Sequence, residues 1–431
     1  MQRCVGATMA AVAAMAAGWS LFSGAPLAAQ QRAGGAPPPP QKAGAAAAQF
    51  TADPMWPKPL PNGWILGSVT GVAVDAQDHV WIVHRGLPSL TARTEAGTGT
   101  TPPTAELCCK AAPPVLEFDS AGALVSSFDW PDGIDKPESP GGIAVDARHV
   151  WITAAGFPEA PARRGGGAGG GRAGGGAAGG GAGAAGAAGA TPPAAPAAPP
   201  PAPKTDAHVL QFTRDGKFVR QIGKPGVTEG NASKTALNRP AGVEVDGAAN
   251  ELYVADGHGN RRVVVFDAAT GAYKRHWGAY GEAPDDTNPG PYDANAPAAK
   301  QFRTVSCVTI AKDGNVYVCD RQNNRIQVFT KAGKFVKEAT LQKATLANGA
   351  VWDIALSSDA AQQYLFVADG SDQKVLIVNR STLAPVGDFG TGGRWPGAFS
   401  GVGSIAVDSR GNLYTGETFE GKRVQKFAPR R

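Results

Sequence analysis

VSCVTIAKDGNVYVCDRQNNRIQVFTKAGKFVKEATL, residues Val305 to Leu341, alternates apolar and polar side chains in four short runs: Val305–Ile310, Val316–Cys319, Arg325–Phe329 and Lys334–Val336. Alternation with period two marks half-buried strands. Between the runs stand Asp313-Gly314-Asn315, Asn323-Asn324 and Ala332-Gly333. These residue types accept the positive-φ geometry of hairpin turns. The stretch therefore predicts a four-stranded antiparallel meander. A lone sheet of this kind cannot bury both faces, so sibling copies are expected.

The pattern recurs. Gly71–Val83 with Val115–Phe128 makes one copy, and Gly142–Thr153 with His208–Gly223 a second. Gly242–Gly278 is a third, the opening stretch the fourth and Val351–Gly390 the fifth. Gly403–Phe427 is a sixth that stops after its third strand. Repeats of roughly 40 residues with four strands each predict an all-β fold, a β-propeller. Six copies predict six blades of four antiparallel strands. The truncated sixth would leave an unpaired edge. The run Leu60–Gly67 is expected to supply the missing strand by pairing with Arg423–Phe427, so that an N-terminal strand closes the ring.

The flanking segments read differently. Met1–Ala29 has a basic start at Arg3, a small-residue apolar run and a cleavage-type Leu27-Ala28-Ala29, the features of a signal peptide. The expected location is secreted or periplasmic, with no stable membrane insertion after cleavage. Gln30–Gln49, with Pro37–Pro40, reads as the body of a flexible leader over residues 30–55, and residues 56–431 as the propeller. Phe157–Asp206 is mostly Gly, Ala and Pro and is read as a disordered insert. The formal net charge is +5 with both signs interspersed, and no Lys/Arg block points to nucleic acid. A monomer is expected.

Four cysteines remain after Cys4 is set aside. Cys307 and Cys319 fall opposite each other across the Asp313-Gly314 turn, which fits either a cross-strand disulfide or two buried thiols. Cys108 and Cys109 are neighbours, and a bond between them would be strained.

Insertion placement picks out one face. Gly86–Pro114 and Phe157–Asp206 separate second from third strands, while Lys224–Asn238 and Ala279–Gln301 join blades. Both kinds of connection lie on the same side of a propeller, and loop growth on one face marks a binding face. Converging there are His84, Arg85, Asp256, His258, Arg303, Asp320, Arg321, Asp353, Asp369, Glu417 and Trp352. Asp256, Asp320 and Asp369 recur from blade to blade, as structural residues do. His84, Arg85, His258, Arg303 and Trp352 do not recur. A ring rich in arginine suits a small polar or anionic ligand, a peptide or a protein, because guanidinium groups grip carboxylates with two hydrogen bonds. His84, Arg85, Arg303, Trp352 and Asp353 are the expected ligand-binding residues. In a catalytic version His258 would be the general base, with Asp320 or Asp353 orienting it. His258 and Arg85 should then share one rim of the channel, roughly within 12 Å of each other.

Only six histidines exist. His79 and His149 belong to turns on the far face, and His208 and His276 to outer strands. A three-histidine zinc centre is therefore not available. No cofactor is expected, calcium and zinc being the metals such a ring could otherwise take.

The run CDRQNNRIQVF (Cys319–Phe329) closely resembles the repeat consensus of NHL-repeat propellers, and VADGHGNRRVVVFD and VADGSDQKVLIV are looser copies. The resemblance spans Leu60 to Phe427. Within that family the chain resembles the lyase half of the peptide-amidating enzyme and its bacterial relatives. His84-Arg85-Gly86 matches a first-blade motif whose arginine binds substrate, which implies that role for Arg85. Asp256-Gly257-His258 matches a motif in which a catalytic tyrosine follows Asp-Gly, and His258 stands in its place. The resemblance also implies zinc-binding histidines at three first-strand starts. Those places read Gly141-Gly142, Ser306-Cys307 and Gly403-Ser404. Two functions follow as alternatives: a ligand-binding propeller without chemistry, or a lyase or hydrolase with a rebuilt, zinc-free site.

Overall fold

The computed structural model describes residues 49–90, 108–156 and 205–430. The signal-peptide reading lies outside these residues, as does most of the leader and of both inserts. Six four-stranded antiparallel sheets form the blades. Blade one is Val69–Val74, Val80–His84, Val115–Phe118 and Leu124–Phe128. Blade two is Pro140–Val145, His149–Ala154, His208–Thr213 and Phe218–Gly223. Blade three is Gly242–Asp246, Glu251–Asp256, Arg262–Asp267 and Tyr273–Trp277. Blade four is Val305–Ile310, Asn315–Asp320, Arg325–Thr330 and Phe335–Thr340. Blade five is Asp353–Leu356, Tyr364–Asp369, Lys374–Asn379 and Pro385–Phe389. Blade six takes Val402–Val407, Leu413–Glu417 and Arg423–Pro429 from the C-terminal end and Phe50–Asp53 from the N-terminal end.

The closing strand is thus not the expected one. Phe50 pairs with Pro429 and Asp53 with Lys426, so residues at the end of the presumed leader complete the ring. Phe50 packs against Phe366 at 5.4 Å and Phe389 at 5.1 Å, which anchors a strand of only four residues. Leu60–Gly67 does something else. Pro61–Gly63 forms a turn with Asn62 at φ 59°, and Trp64–Ile65 pairs in parallel with Lys110–Ala111. A proline at the start and a left-handed asparagine break the extended run that the alternation suggested.

Hydrophobic clusters sit between blades. Tyr317, Ile326 and Val328 of blade four, for example, pack on Val351, Leu365 and Val367 of blade five. The second strands are the most enclosed elements; every residue of Val80–His84 is buried. Near the axis the first strands approach so closely that side chains are excluded. A Cβ on Gly142 would lie 2.9 Å from the Gly242 Cα, and one on Gly242 only 2.8 Å from the Ser306 carbonyl. Cys307 and Cys319 face each other in register and are disulfide-bonded, with Cα atoms 4.9 Å apart. Cys108 and Cys109 are bonded as well.

The recurring carboxylates have a structural task. Asp256 accepts from Arg262 Nε at 2.9 Å and Asn260 Nδ2 at 2.7 Å. Asp320 accepts from Arg325 Nη2 at 2.8 Å and Asn323 Nδ2 at 2.7 Å. Glu417 accepts from Arg423 Nε at 2.6 Å. Each arginine then reaches the connection from the preceding blade: Arg262 the Asn231 and Ala236 carbonyls, Arg325 those of Ala299 and Gln301, and Arg423 that of Ala398. The pairs therefore tie blades three, four and six to the loops that enter them. Blade five has Lys374 opposite Asp369 and lacks this clamp.

Candidate functional site

A cavity of about 100 Å3 opens on the axis at the loop-rich face. It is walled by the first-strand starts of several blades and by the loops that follow the second strands. Arg85, His258, Arg321, Trp352, Asn348 and Thr418 give it its polar and aromatic lining. No carboxylate is among the lining residues.

Arg85 enters directly after the second strand of blade one. Its Nε donates to Ser139 Oγ at 2.6 Å and its Nη1 to Thr418 Oγ1 at 3.2 Å. Burial pushes its pKa down to about 10. His84 holds it in place rather than lining the cavity. The His84 Nδ1 accepts the backbone N–H groups of Gly67 at 3.1 Å and Gly86 at 3.0 Å, and its Nε2 donates to the Pro113 carbonyl at 2.8 Å. Both ring nitrogens are engaged, which corrects the expectation that His84 meets ligand.

Arg321 enters after the second strand of blade four. Its guanidinium lies over the Trp352 ring, 4.6 Å from the centroid. Its Nε is buried without a hydrogen-bond acceptor. Burial lowers its pKa to about 10. Trp352 is fixed by donation from Nε1 to the Gly349 carbonyl at 2.8 Å and by an edge contact with Phe419 at 6.0 Å.

His258 faces these groups from blade three. Its backbone is clasped by Arg239, whose Nη2 donates to the His258 carbonyl at 2.6 Å. Burial and then the charges of Arg321, Arg239 and Arg85 hold the imidazole well below its ordinary pKa. It is therefore a neutral ring among three cations. His258 and Arg85 both line this one cavity.

The other candidates stand elsewhere. Arg303 donates from Nε to Asn323 Oδ1 at 2.6 Å, reaches the Pro289 and Gly290 carbonyls and stacks on Tyr292, so it serves an inter-blade connection. Asp320 is held in the Arg325 clamp and does not face His258. Asp353 lines the central channel, where its carboxylate accepts the N–H groups of Ile354 and Ile405, both at 2.9 Å. Burial raises its pKa to about 7. No carboxylate orients His258 among the described residues. Sequence reasoning overlooked Arg239 and did not select Arg321. A signal for Arg321 existed: Asp256 and Asp369 are followed by glycine, whereas Asp320 is followed by arginine.

The NHL repeat family matches residues 237–266 and 302–329, within blades three and four. Those matches fall on two of six sibling sheets around one axis. The chain carries NHL repeats in a six-bladed propeller. This NHL propeller is similar to the peptidyl-glycine alpha-amidating monooxygenases B and A of Xenopus laevis. They are 31% and 30% identical over 156 residues, 32% of this chain. The matched segment spans only 16% and 15% of those relatives' own length. Among solved structures, a Staphylococcus aureus virginiamycin B lyase with quinupristin aligns over 89% of both chains at 12% identity, with a TM-score of 0.42. A streptogramin B lyase aligns over 89% of this chain and 98% of its own at 10% identity, with a TM-score of 0.44.

The zinc that the resemblance implies does not fit the side chains at the axis of this NHL propeller. Gly141, Ser306 and Gly403 line the cavity at the three matching places and bring no imidazole. Cys307 is bonded to Cys319 and offers no thiolate. His258 is the one imidazole in the lining, where a zinc site needs three or four nitrogen, sulfur or carboxylate donors.

Proposed function

We propose that this NHL propeller binds the anionic group of a small polar ligand, or of a peptide or protein, in the axial cavity. The observation that carries the reading is the Arg321 guanidinium, stacked on Trp352 with a buried Nε that lacks an acceptor. A buried donor without a partner is destabilising, and a ligand carboxylate would relieve it with a charge-assisted bond. Arg85 and Arg239 add positive charge, and no lining carboxylate opposes it. In this reading the chain acts as a secreted or periplasmic monomer.

The test is calorimetric titration with N-acetyl-Phe-Gly and with its C-terminal amide. The free carboxylate should bind at least about tenfold more tightly, the size of one charged hydrogen bond. Arg321→Met should remove that preference while the melting temperature stays unchanged. Equal binding of acid and amide would refute the proposal.

The state of His258 favours a second reading. A neutral imidazole, with no ring hydrogen bond among the described residues, can accept a proton. Its three cationic neighbours weaken it as a base, and a bound carboxylate would offset them. A lyase or hydrolase with His258 as general base and Arg85 as carboxylate clamp is the catalytic alternative. Glyoxylate release from an α-hydroxyglycine-extended peptide, lost in His258→Asn, would establish it. No release from the wild-type protein would leave binding alone.

A further inference from the structure

The opposite face of the ring holds a second, larger cavity of about 420 Å3, between blades two and three. Asp146, His149, Trp151, Gln211, Arg220 and Ala268 border it. Comparison of the blade junctions shows why it is there. In blade one, Trp81 pairs in register with Glu117, and Asp75 directly follows the first strand. Arg214, from the turn between the third and fourth strands of blade two, reaches back over the junction. It bonds to Asp75 Oδ2 and to Glu117 Oε1 and lies 5.1 Å above the Trp81 ring. Under this plug the Asp75 side chain is 2% exposed.

The same device closes other junctions. Lys331, at the matching turn of blade four, pairs with Asp246 of blade three. Arg380 of blade five bonds to Asp313 at 2.7 Å and approaches Tyr317 Oη at 3.4 Å in blade four. Blade one carries Ser120 at this turn and blade six, whose fourth strand comes from the N-terminal end, has no such turn; there N-terminal rings pack instead: Trp56 on Tyr414 at 4.9 Å and Phe50 on Phe366.

Blade three carries Ala268 at this turn. The junction it should cover keeps the receptor residues. Trp151 pairs in register with Gln211, as Trp81 does with Glu117. Asp146 accepts from Trp151 Nε1, as Asp75 does from Trp81. The plug alone is missing, and the Asp146 side chain is 25% exposed. Gln211, 2% exposed, has a buried Oε1 without a hydrogen-bond partner. That atom is the counterpart of the Glu117 oxygen that Arg214 meets.

We propose that this junction is a second binding site, taking a guanidinium or primary ammonium group between Asp146 and Gln211 and over the Trp151 ring. Two acceptors beside an aromatic face are the chemistry that recognises such a cation. Arg220 also borders the cavity, with its Nε lacking an acceptor, so a hydrogen-bond acceptor beside the ligand's cation has a place as well. Its counterpart Arg275 donates Nε to the Lys331 carbonyl of the plug, at 2.8 Å.

The test is calorimetry of the full chain with agmatine, which carries a guanidinium and no carboxylate for the axial cavity. Neutral urea is the control. Agmatine should bind and urea should not. Ala268→Arg restores the plug and should weaken agmatine at least tenfold while raising the melting temperature. Gln211→Glu recreates the Glu117 arrangement and should tighten agmatine at least threefold. The second variant decides the matter should the first fail to fold. Agmatine binding no better than urea, or binding that neither variant alters, overturns the proposal. Arg321→Met should leave agmatine binding unchanged, which separates this site from the axial one.

Discussion

His84 keeps a single proton, on Nε2, because two backbone N–H groups point at its Nδ1. Burial lowers its pKa to about 4. In the unfolded chain the ring takes up a proton near pH 6.5; in the folded chain it resists until about pH 4. The unfolded state therefore binds more protons across this window, and stability falls as pH falls through it. The full effect is roughly 3 kcal/mol. Denaturant midpoints of wild type and His84→Gln between pH 7 and pH 4 check this: the gap between them should narrow on acidification, and a constant gap would contradict it. The same residue shows what sequence could reveal at this scale. Its isolation from the repeat pattern marked it as special, but not whether it touched ligand or backbone. Arg85 was legible as its neighbour. Arg303 misled by one position: its backbone N–H, like that of Asn238, donates to the second-strand aspartate, so both side chains leave the axis. Arg239, one residue further on, is the one that turns inward, and a one-residue offset in a loop leaves no trace in composition.

Among elements, the four-residue closing strand carries the clearest consequence. Removing Phe50–Asp53 would expose the edge of Arg423–Pro429 and strip the cover from Phe366 and Phe389. A chain beginning at residue 54 should melt lower and aggregate by edge pairing. Phe50→Ala should cost about 3 kcal/mol. Chemical denaturation and light scattering measure both, and an unchanged midpoint would show that the strand is dispensable. The strands of blades one to five were legible because alternation and turn residues coincide in them. The latch was not, because FTAD is too short for periodicity and follows a run rich in alanine. Its partner is nearly 380 residues away in sequence, as the Phe50 to Pro429 pairing shows.

For the molecule as a whole, the ring creates a shared interior that no blade has alone. Six first strands enclose a central channel of about 300 Å3, into which blade three brings Glu244 and blade five Asp353. Burial, then Asp353, then Asp246 raise the Glu244 pKa to about 8. The folded state thus holds a proton that the unfolded chain releases above pH 4.5, so this group's contribution to stability is lost as pH rises towards 8. Glu244→Gln removes the titration. Its melting temperature relative to wild type should climb between pH 5 and pH 8.5, and a pH-independent difference would refute the assignment. The blade count was readable from the repeats. These raised values were not, because they come first from burial, which exists only once separate blades enclose the channel.

The two ends of the folded ring lie side by side: the Arg430 N–H donates to the Gln49 carbonyl at 2.6 Å. A ribosome delivers one of these partners hundreds of residues before the other. The circle can lock only once the later partner has emerged, and until then a nearly complete ring carries a raw seam. Joining residues 49 and 430 through a short tether, and opening the chain between two other blades, would move that seam to a new place without altering a single packed contact.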